Sequence, residues 1–280
     1  MDFQQFFANR NWFFFDNRNS PHHFDNYSSL VYQDSFIRYV QDIQLHFPQA
    51  GIFHLYPTAS PTILLGTRDT RLPNVKEGLD FLKKAGYDLI VRPHGGLAVV
   101  TDPGVVNLSF VVDTSDELVS IDQGYEAMAY LIQSILSPYN VNIETYEIPD
   151  SYCSGKYDLV LNGRKIGGIA QRRFRNGITV AAYLSLDGDQ DERANLIRQF
   201  YHIGQANESY PQVNPHAMTT LEKELKIPYD LNRFVEDLSN WLLTTQKIQL
   251  GDFTAPEVEE YYERFYLQAI KRNQSVEQGE

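Results

Sequence analysis

Two Asn-Gly pairs, Asn162-Gly163 and Asn176-Gly177, interrupt the run YDLVLNGRKIGGIAQRRFRNGITVAAYLSL, and they constrain this fold more than any other feature. Asn and Gly tolerate the left-handed backbone of a tight hairpin turn, so NG between apolar stretches is the strongest short hairpin signal available. The segment predicts three consecutive antiparallel strands, a meander.

Strands are also expected in TILLGT, in VVNLSFVV, in the alternating VNIETYEI, and twice in YDLIVRPHGGLAVVT, joined through PHGG. The two glycines of PHGG permit a tight turn and let backbone approach a ligand closely. SSLVYQDSFIRYVQDIQLHF reads as a helix opening at a serine N-cap and ending before Pro48. SIDQGYEAMAYLIQSILSPY is amphipathic, with Pro138 marking its end. After Asp191 nearly everything reads at helical period, and Pro256 suits the first turn of its helix. The fold class is therefore α+β, with strands grouped in the middle of the chain.

The chain has 280 residues and a formal net charge of -12, which argues against general nucleic-acid binding. A single cysteine cannot form an intramolecular disulfide, and MDFQQFFANRNWFFFDNRNS lacks the marks of a signal peptide, so a cytoplasmic protein is expected. No apolar run approaches the roughly 18 to 20 residues of a membrane span. Dinucleotide, phosphate-loop, zinc-protease and nucleophile-elbow motifs are absent, as are paired cysteines, so neither a metal nor a cofactor is expected. His94, just before Gly95-Gly96, is a possible base or simply a turn residue.

Lys156, Arg164, Lys165, Arg172, Arg173 and Arg175 face the single acid Asp158 in the same stretch, which reads either as a cationic patch or as a solvated strand face. Cys153, flanked by Tyr152 and Ser154-Gly155, lies at a strand junction rather than inside an apolar run. A lone cysteine is most often a small core hydrophobe. Nearby positive charge, however, favours the nucleophilic thiolate. In GRKIGGIAQ, Gly167-Gly168 follow Lys165 closely, which suits either oxyanion stabilisation by backbone N–H groups beside an ammonium or an ordinary hairpin with a bulge.

Two motifs together resemble a known family. VRPHGGLAVVTDPGVVN and GRKIGGIAQRR resemble, in order and separation, the signatures of the lipoate-protein ligase and octanoyltransferase family. TRDTRLP, GYEAM and YEIPDSYCSGKYDL look most like its cysteine-dependent branch, which moves octanoyl groups from the glycine cleavage H protein to other carriers. The resemblance covers about Thr67 to Tyr201. Relative to the ATP-dependent ligases, Leu97 replaces the third glycine and Thr101 the histidine before Asp102, departures that speak against ATP use.

The resemblance implies one biotin/lipoate ligase-like catalytic domain over 1–280, with 191–280 mostly helical. It implies that Cys153 is the nucleophile and that Lys165 contacts the acyl carbonyl. Arg92, Gly95, Gly96, Leu97, Ala98, Val99, Asn107, Gly167 and Gly168 would bind the acyl group, and Arg164, Arg172, Arg173 and Arg175 would dock acidic carriers. Those carriers would be the octanoylated or lipoylated H protein and the lipoyl domains of 2-oxoacid dehydrogenase complexes, with no nucleic acid and no membrane. Three alternatives stay open at this point. An octanoyl-acyl carrier protein:H protein transferase would take a different donor, and an ATP-dependent ligase would form an acyl-adenylate and ignore Cys153. A noncatalytic carrier-binding protein would form a stable complex without a covalent intermediate.

Overall fold

The computed structural model describes residues 1–25, 27–245 and 247–278. In chain order its helices are α1 (Phe3–Ala8), α2 (Ser28–Ile43), α3 (Val75–Lys84), α4 (Ile121–Ile135), α5 (Gln190–Ile203), α6 (Leu221–Leu225), α7 (Leu231–Thr245) and α8 (Pro256–Gln278). The strands are β1 (Asn11–Asp16), β2 (Ala50–Leu55), β3 (Thr62–Leu65), β4 (Asp88–Val91), β5 (Val99–Thr101), β6 (Val105–Asp113), β7 (Glu144–Thr145), β8 (Leu159–Leu161), β9 (Arg164–Phe174), β10 (Gly177–Ser185) and β11 (Lys247–Leu250).

The meander forms as β8, β9 and β10, paired antiparallel. Asn162 (φ 52°) and Gly163 (φ 78°) both turn left-handed, as the sequence requires. The second turn differs: Arg175 takes the left-handed position (φ 53°), and Gly177 already pairs with Phe174 as the first residue of β10. Glycine is needed there for a packing reason, because a Cβ on Gly177 would lie 2.2 Å from the Ile37 carbonyl oxygen of α2. Gly177→Ala is expected to destabilise the fold by about 1–3 kcal/mol, as other overpacked sites do, read as a lower urea midpoint.

The large sheet runs β11-β1-β2-β6-β10-β9-β8-β7, and a second sheet runs β4-β3-β5. The period of two sorts β10 cleanly. Ile178, Val180, Ala182 and Leu184 face a core shared with α4 and α7, while Thr179, Ala181, Tyr183 and Ser185 point to the other face. On that other face α2 and α8 cover one end of the sheet, and the small sheet with α3 and α5 packs beside them. Asp34 of α2, which is 1% exposed, binds Arg172 of β9 and also Arg272 of α8 at 2.9 Å, tying three elements together. Further along α8, Asn273 Oδ1 accepts the Val91 N–H of β4 at 2.6 Å, and the Val276 carbonyl accepts from Lys83 at 3.0 Å.

Several sequence expectations are corrected. The strands flanking PHGG do not pair with each other: both pair with β3, so residues 92–98 pass across its end. VNIETYEI keeps only Glu144–Thr145 as strand. The first long helix stops at Ile43, and its N-cap is Tyr27 with no side-chain capping bond, Ser28 being the first helical residue. The C-terminal part contributes a strand as well, since β11 pairs in parallel with β1. The phenylalanine-rich start, to which periodicity assigns no element, forms α1 and β1 and buries Phe6, Phe7, Trp12 and Phe15.

Candidate active site

Residues 146–158 loop between β7 and β8 and are held from within by one carboxylate. Asp158, 1% exposed, accepts the Ile148 N–H at 3.1 Å with one oxygen and the Gly155 N–H at 3.1 Å with the other. Lys165 of β9, wholly buried, reaches into this loop: Nζ lies 2.9 Å from Asp158 and donates to Ser151 Oγ (3.2 Å), the Tyr152 carbonyl (3.0 Å) and the Cys153 carbonyl (2.9 Å). Burial pushes the Asp158 carboxyl up, against the ammonium and the two amides, which pull it down. Tyr152 anchors the same loop, with its ring wholly buried and its hydroxyl accepting from Gln190 at 3.1 Å. Burial raises that phenol to about 12.

Thus clamped, Cys153 sits at φ 49°, a left-handed conformation unusual for a residue with a Cβ, and its side chain meets the 92–98 loop. Sγ accepts from the Leu97 N–H at 3.3 Å and from Arg92 Nη2 at 3.2 Å. Arg92 also donates to the Leu97 carbonyl at 2.7 Å, which fixes the guanidinium against its own loop. Gly96 (φ 105°) makes this approach possible: a Cβ there would fall 2.4 Å from Arg92 Nη2 and 3.0 Å from Sγ. Charge developing on the sulfur is therefore met by a backbone amide and a guanidinium.

Beneath the glycine loop lies Asp69, fully buried. It accepts the Gly66 N–H at 2.7 Å and the Tyr201 hydroxyl at 3.1 Å, and Tyr201 in turn accepts the Ala98 N–H at 3.3 Å. Burial raises its carboxyl to about 6. The folded chain then holds a proton at Asp69 that the unfolded chain releases from about pH 4, so this group's contribution falls as pH rises from about 4 to 6. The stability of Asp69→Asn minus that of wild type is accordingly expected to grow over that window and then level off, measured by urea unfolding from pH 4.5 to 7.5.

A cavity of about 280 Å³, close to the lower end of ordinary ligand pockets, opens beside Cys153 between the two sheets. Leu30, Leu64, Val99 and Ala181 supply apolar wall, and Arg92, Gly95, Gly96, Asn107 and Gly168 also line it. Gly95 has open space where a Cβ would be. Leu97, Ala98 and Gly167 do not line it: the first two act through backbone N–H groups, and a Cβ on Gly167 would meet the Tyr183 carbonyl at 2.2 Å. Lys165 is also set back behind the cysteine loop rather than on the wall. His94 lines the cavity, and burial lowers its imidazole to about 3, so it is neutral at pH 7.

The expected cationic patch divides. Arg164 pairs with Glu224 and Arg172 with Asp34, while Arg173 and Arg175 lie exposed at the far end of β9 from Arg164. Asp102 is engaged by Arg193 through two bonds of 2.7 and 2.6 Å. Sequence reasoning missed Tyr183, Tyr152, Asp158, Asp69 and Tyr201 as site residues. Asp158 and Tyr152 flank the cysteine closely in sequence, and Asp69 lies in TRDTRLP, so their positions beside recognised motifs were the available signal.

The lipoyl protein ligase A/B catalytic domain matches residues 26–243. The chain belongs to that family. It is 38% identical over 270 residues to a lipoyl-[GcvH]:protein N-lipoyltransferase of Listeria monocytogenes, covering 95% of each chain. It is 42% identical over 225 residues to an octanoyl-[GcvH]:protein N-octanoyltransferase of Bacillus velezensis, covering 77% of each. The bi-partite lipoate protein ligase of Thermoplasma acidophilum superimposes with a TM-score of 0.65 at 16% identity, over 95% of this chain and 96% of that one, and so shares the fold. Within this ligase and transferase family, then, the chain carries the layered α+β catalytic fold, with a cysteine in contact with a glycine-rich loop beside a cavity.

Proposed function

We propose that this chain is an acyltransferase that moves an octanoyl or lipoyl group from a lysine of the glycine cleavage H protein to a lysine of a 2-oxoacid dehydrogenase lipoyl domain, through a thioester on Cys153. The observation that carries the reading is the thiol itself, placed beside an apolar cavity with the Leu97 N–H and Arg92 on its sulfur. The names of two transferases similar to it in sequence support the H protein as donor.

In the first half-reaction Sγ attacks the amide carbonyl carbon, the π electrons move to oxygen, and collapse expels the lysine amine, which leaves with the proton formerly on the thiol. The second carrier's lysine attacks the thioester and the sequence runs backward. One amide replaces another, so no ATP is demanded. The difficulty is kinetic, because an amine must be protonated as it leaves. The exposure of Arg173 and Arg175 supports a role for them in docking acidic carriers. Arg173→Glu with Arg175→Glu is expected to cut transfer roughly tenfold at low salt and to flatten its salt dependence. An unchanged profile removes the docking role.

The deciding experiment mixes the protein with octanoylated H protein and an unmodified lipoyl domain, without ATP, and follows intact masses. Octanoyl transfer with a cysteine-dependent acyl-enzyme is the expected result. Transfer that waits for octanoyl-acyl carrier protein, or for ATP, makes the chain one of the other two family activities.

A further inference from the structure

Lys165, to which the family resemblance gives the acyl carbonyl, has its ammonium occupied by Asp158 and three loop oxygens and stands behind the cavity wall. Among the described residues that line the cavity, Arg92, His94, Asn107 and Tyr183 each carry a buried polar side-chain atom with no hydrogen-bond partner, and the last two stand on neighbouring strands. The Tyr183 hydroxyl and the Asn107 amide nitrogen are both buried and have no hydrogen-bond partner, in residues only 6% and 4% exposed. Leaving such groups unpaired in a folded protein is costly, and a polar ligand atom would satisfy them.

Their placement is no accident of loops. Tyr183 of β10 and Asn107 of β6 are directly opposed in the antiparallel register and so stand side by side on one face of the sheet. Gly168 of β9 opposes Tyr183 from the other side, and a Cβ there would strike the tyrosine ring at 2.9 Å, so glycine gives the ring its room. Tyr183 also feels the charges of Cys153 and Arg92, which places the phenol within electrostatic reach of the nucleophile.

We propose that Tyr183 and Asn107 are the donors that hold the acyl carbonyl oxygen in the cavity and take up its negative charge when Cys153 attacks, and that Lys165 is a positioning residue that fixes the cysteine loop. This rests on the acyl-thioester reading above. As the thiolate adds to the carbonyl carbon, the oxygen gains the electron pair, and both donors shorten toward it without giving up their protons. Burial raises the Tyr183 phenol well above its ordinary range, which keeps its proton in place for that role.

The test compares wild type, Tyr183→Phe and Asn107→Leu in three measurements. Acylation of Cys153 by p-nitrophenyl octanoate, which needs no carrier protein, is expected to slow about 10²-fold in kcat for each variant with little change in KM. Alkylation of Cys153 by iodoacetamide, a displacement that builds no oxyanion, is expected to stay within twofold. Binding of octanamide is expected to weaken roughly tenfold. Acylation and alkylation falling together would reduce Tyr183 and Asn107 to packing residues, and acylation unchanged would overturn the proposal outright. If wild type itself is not acylated, the thioester reading fails separately, and the octanamide arm still decides: equal binding by wild type and variants, or none by any, overturns the carbonyl site.

Discussion

Cys153→Ala and Cys153→Gly are both expected to abolish acyl transfer, by at least about 10⁴-fold, yet the glycine variant is expected to be the more stable of the two by about 1 kcal/mol. Both lose Sγ and its bonds to Leu97 and Arg92, so those losses cancel in the comparison. What remains is the backbone. At φ 49° an alanine still presses its Cβ against the following carbonyl, and glycine does not. Cys153, the proposed nucleophile, thus occupies a position where its own side chain works against the fold, a pattern seen where strain serves function. Urea midpoints of the two variants, together with acyl-enzyme mass, measure both halves. Equal stabilities would mean that the loop relaxes when the sulfur is gone.

Lys165→Met is expected to cost about 3–5 kcal/mol of folding stability, the usual price of leaving one member of a buried ion pair behind. Asp158 would keep the Ile148 and Gly155 amides but lose its cation, and the oxygens of Ser151, Tyr152 and Cys153 would lose their shared donor. Adding Asp158→Asn to Lys165→Met is expected to recover part of the loss, with a coupling of about 1–3 kcal/mol in the double-mutant cycle. A loss below about 1 kcal/mol in the single variant would show that the pair contributes little. Limited proteolysis supplies a local readout, since the 146–158 loop is expected to become the first cleavage site.

The meander was legible because turn chemistry and period-two alternation are local properties, and both survive in β8, β9 and β10. Its second turn slipped by one residue because packing against Ile37, a contact far away in sequence, decides where Gly177 sits. Tyr183 was hidden for a related reason. GITVAAYLS is buried on both faces, so hydropathy alone cannot say which side chains meet the core and which meet the cavity. The cationic run misled because a sequence counts charges and not partners. Glu224 and Asp34, which claim Arg164 and Arg172, lie far from them in the chain. The meeting of Cys153 with Arg92 and Leu97 is likewise a product of tertiary structure, and only the family resemblance linked those segments beforehand.

The bond from Asn273 to the Val91 amide joins the strand that ends just before Arg92 to a helix made much later in synthesis. Translation proceeds from the amino end, and a domain generally folds as a unit. The residues that line the cavity beside Cys153 are all translated before residue 184, yet the Val91 amide of β4 is paired by Asn273. A nascent chain stalled before residue 256 would carry thiol, arginine and glycines with the strand behind them unfinished. A chain ended before Asn273 would therefore lack the partner of the Val91 amide, one residue before Arg92.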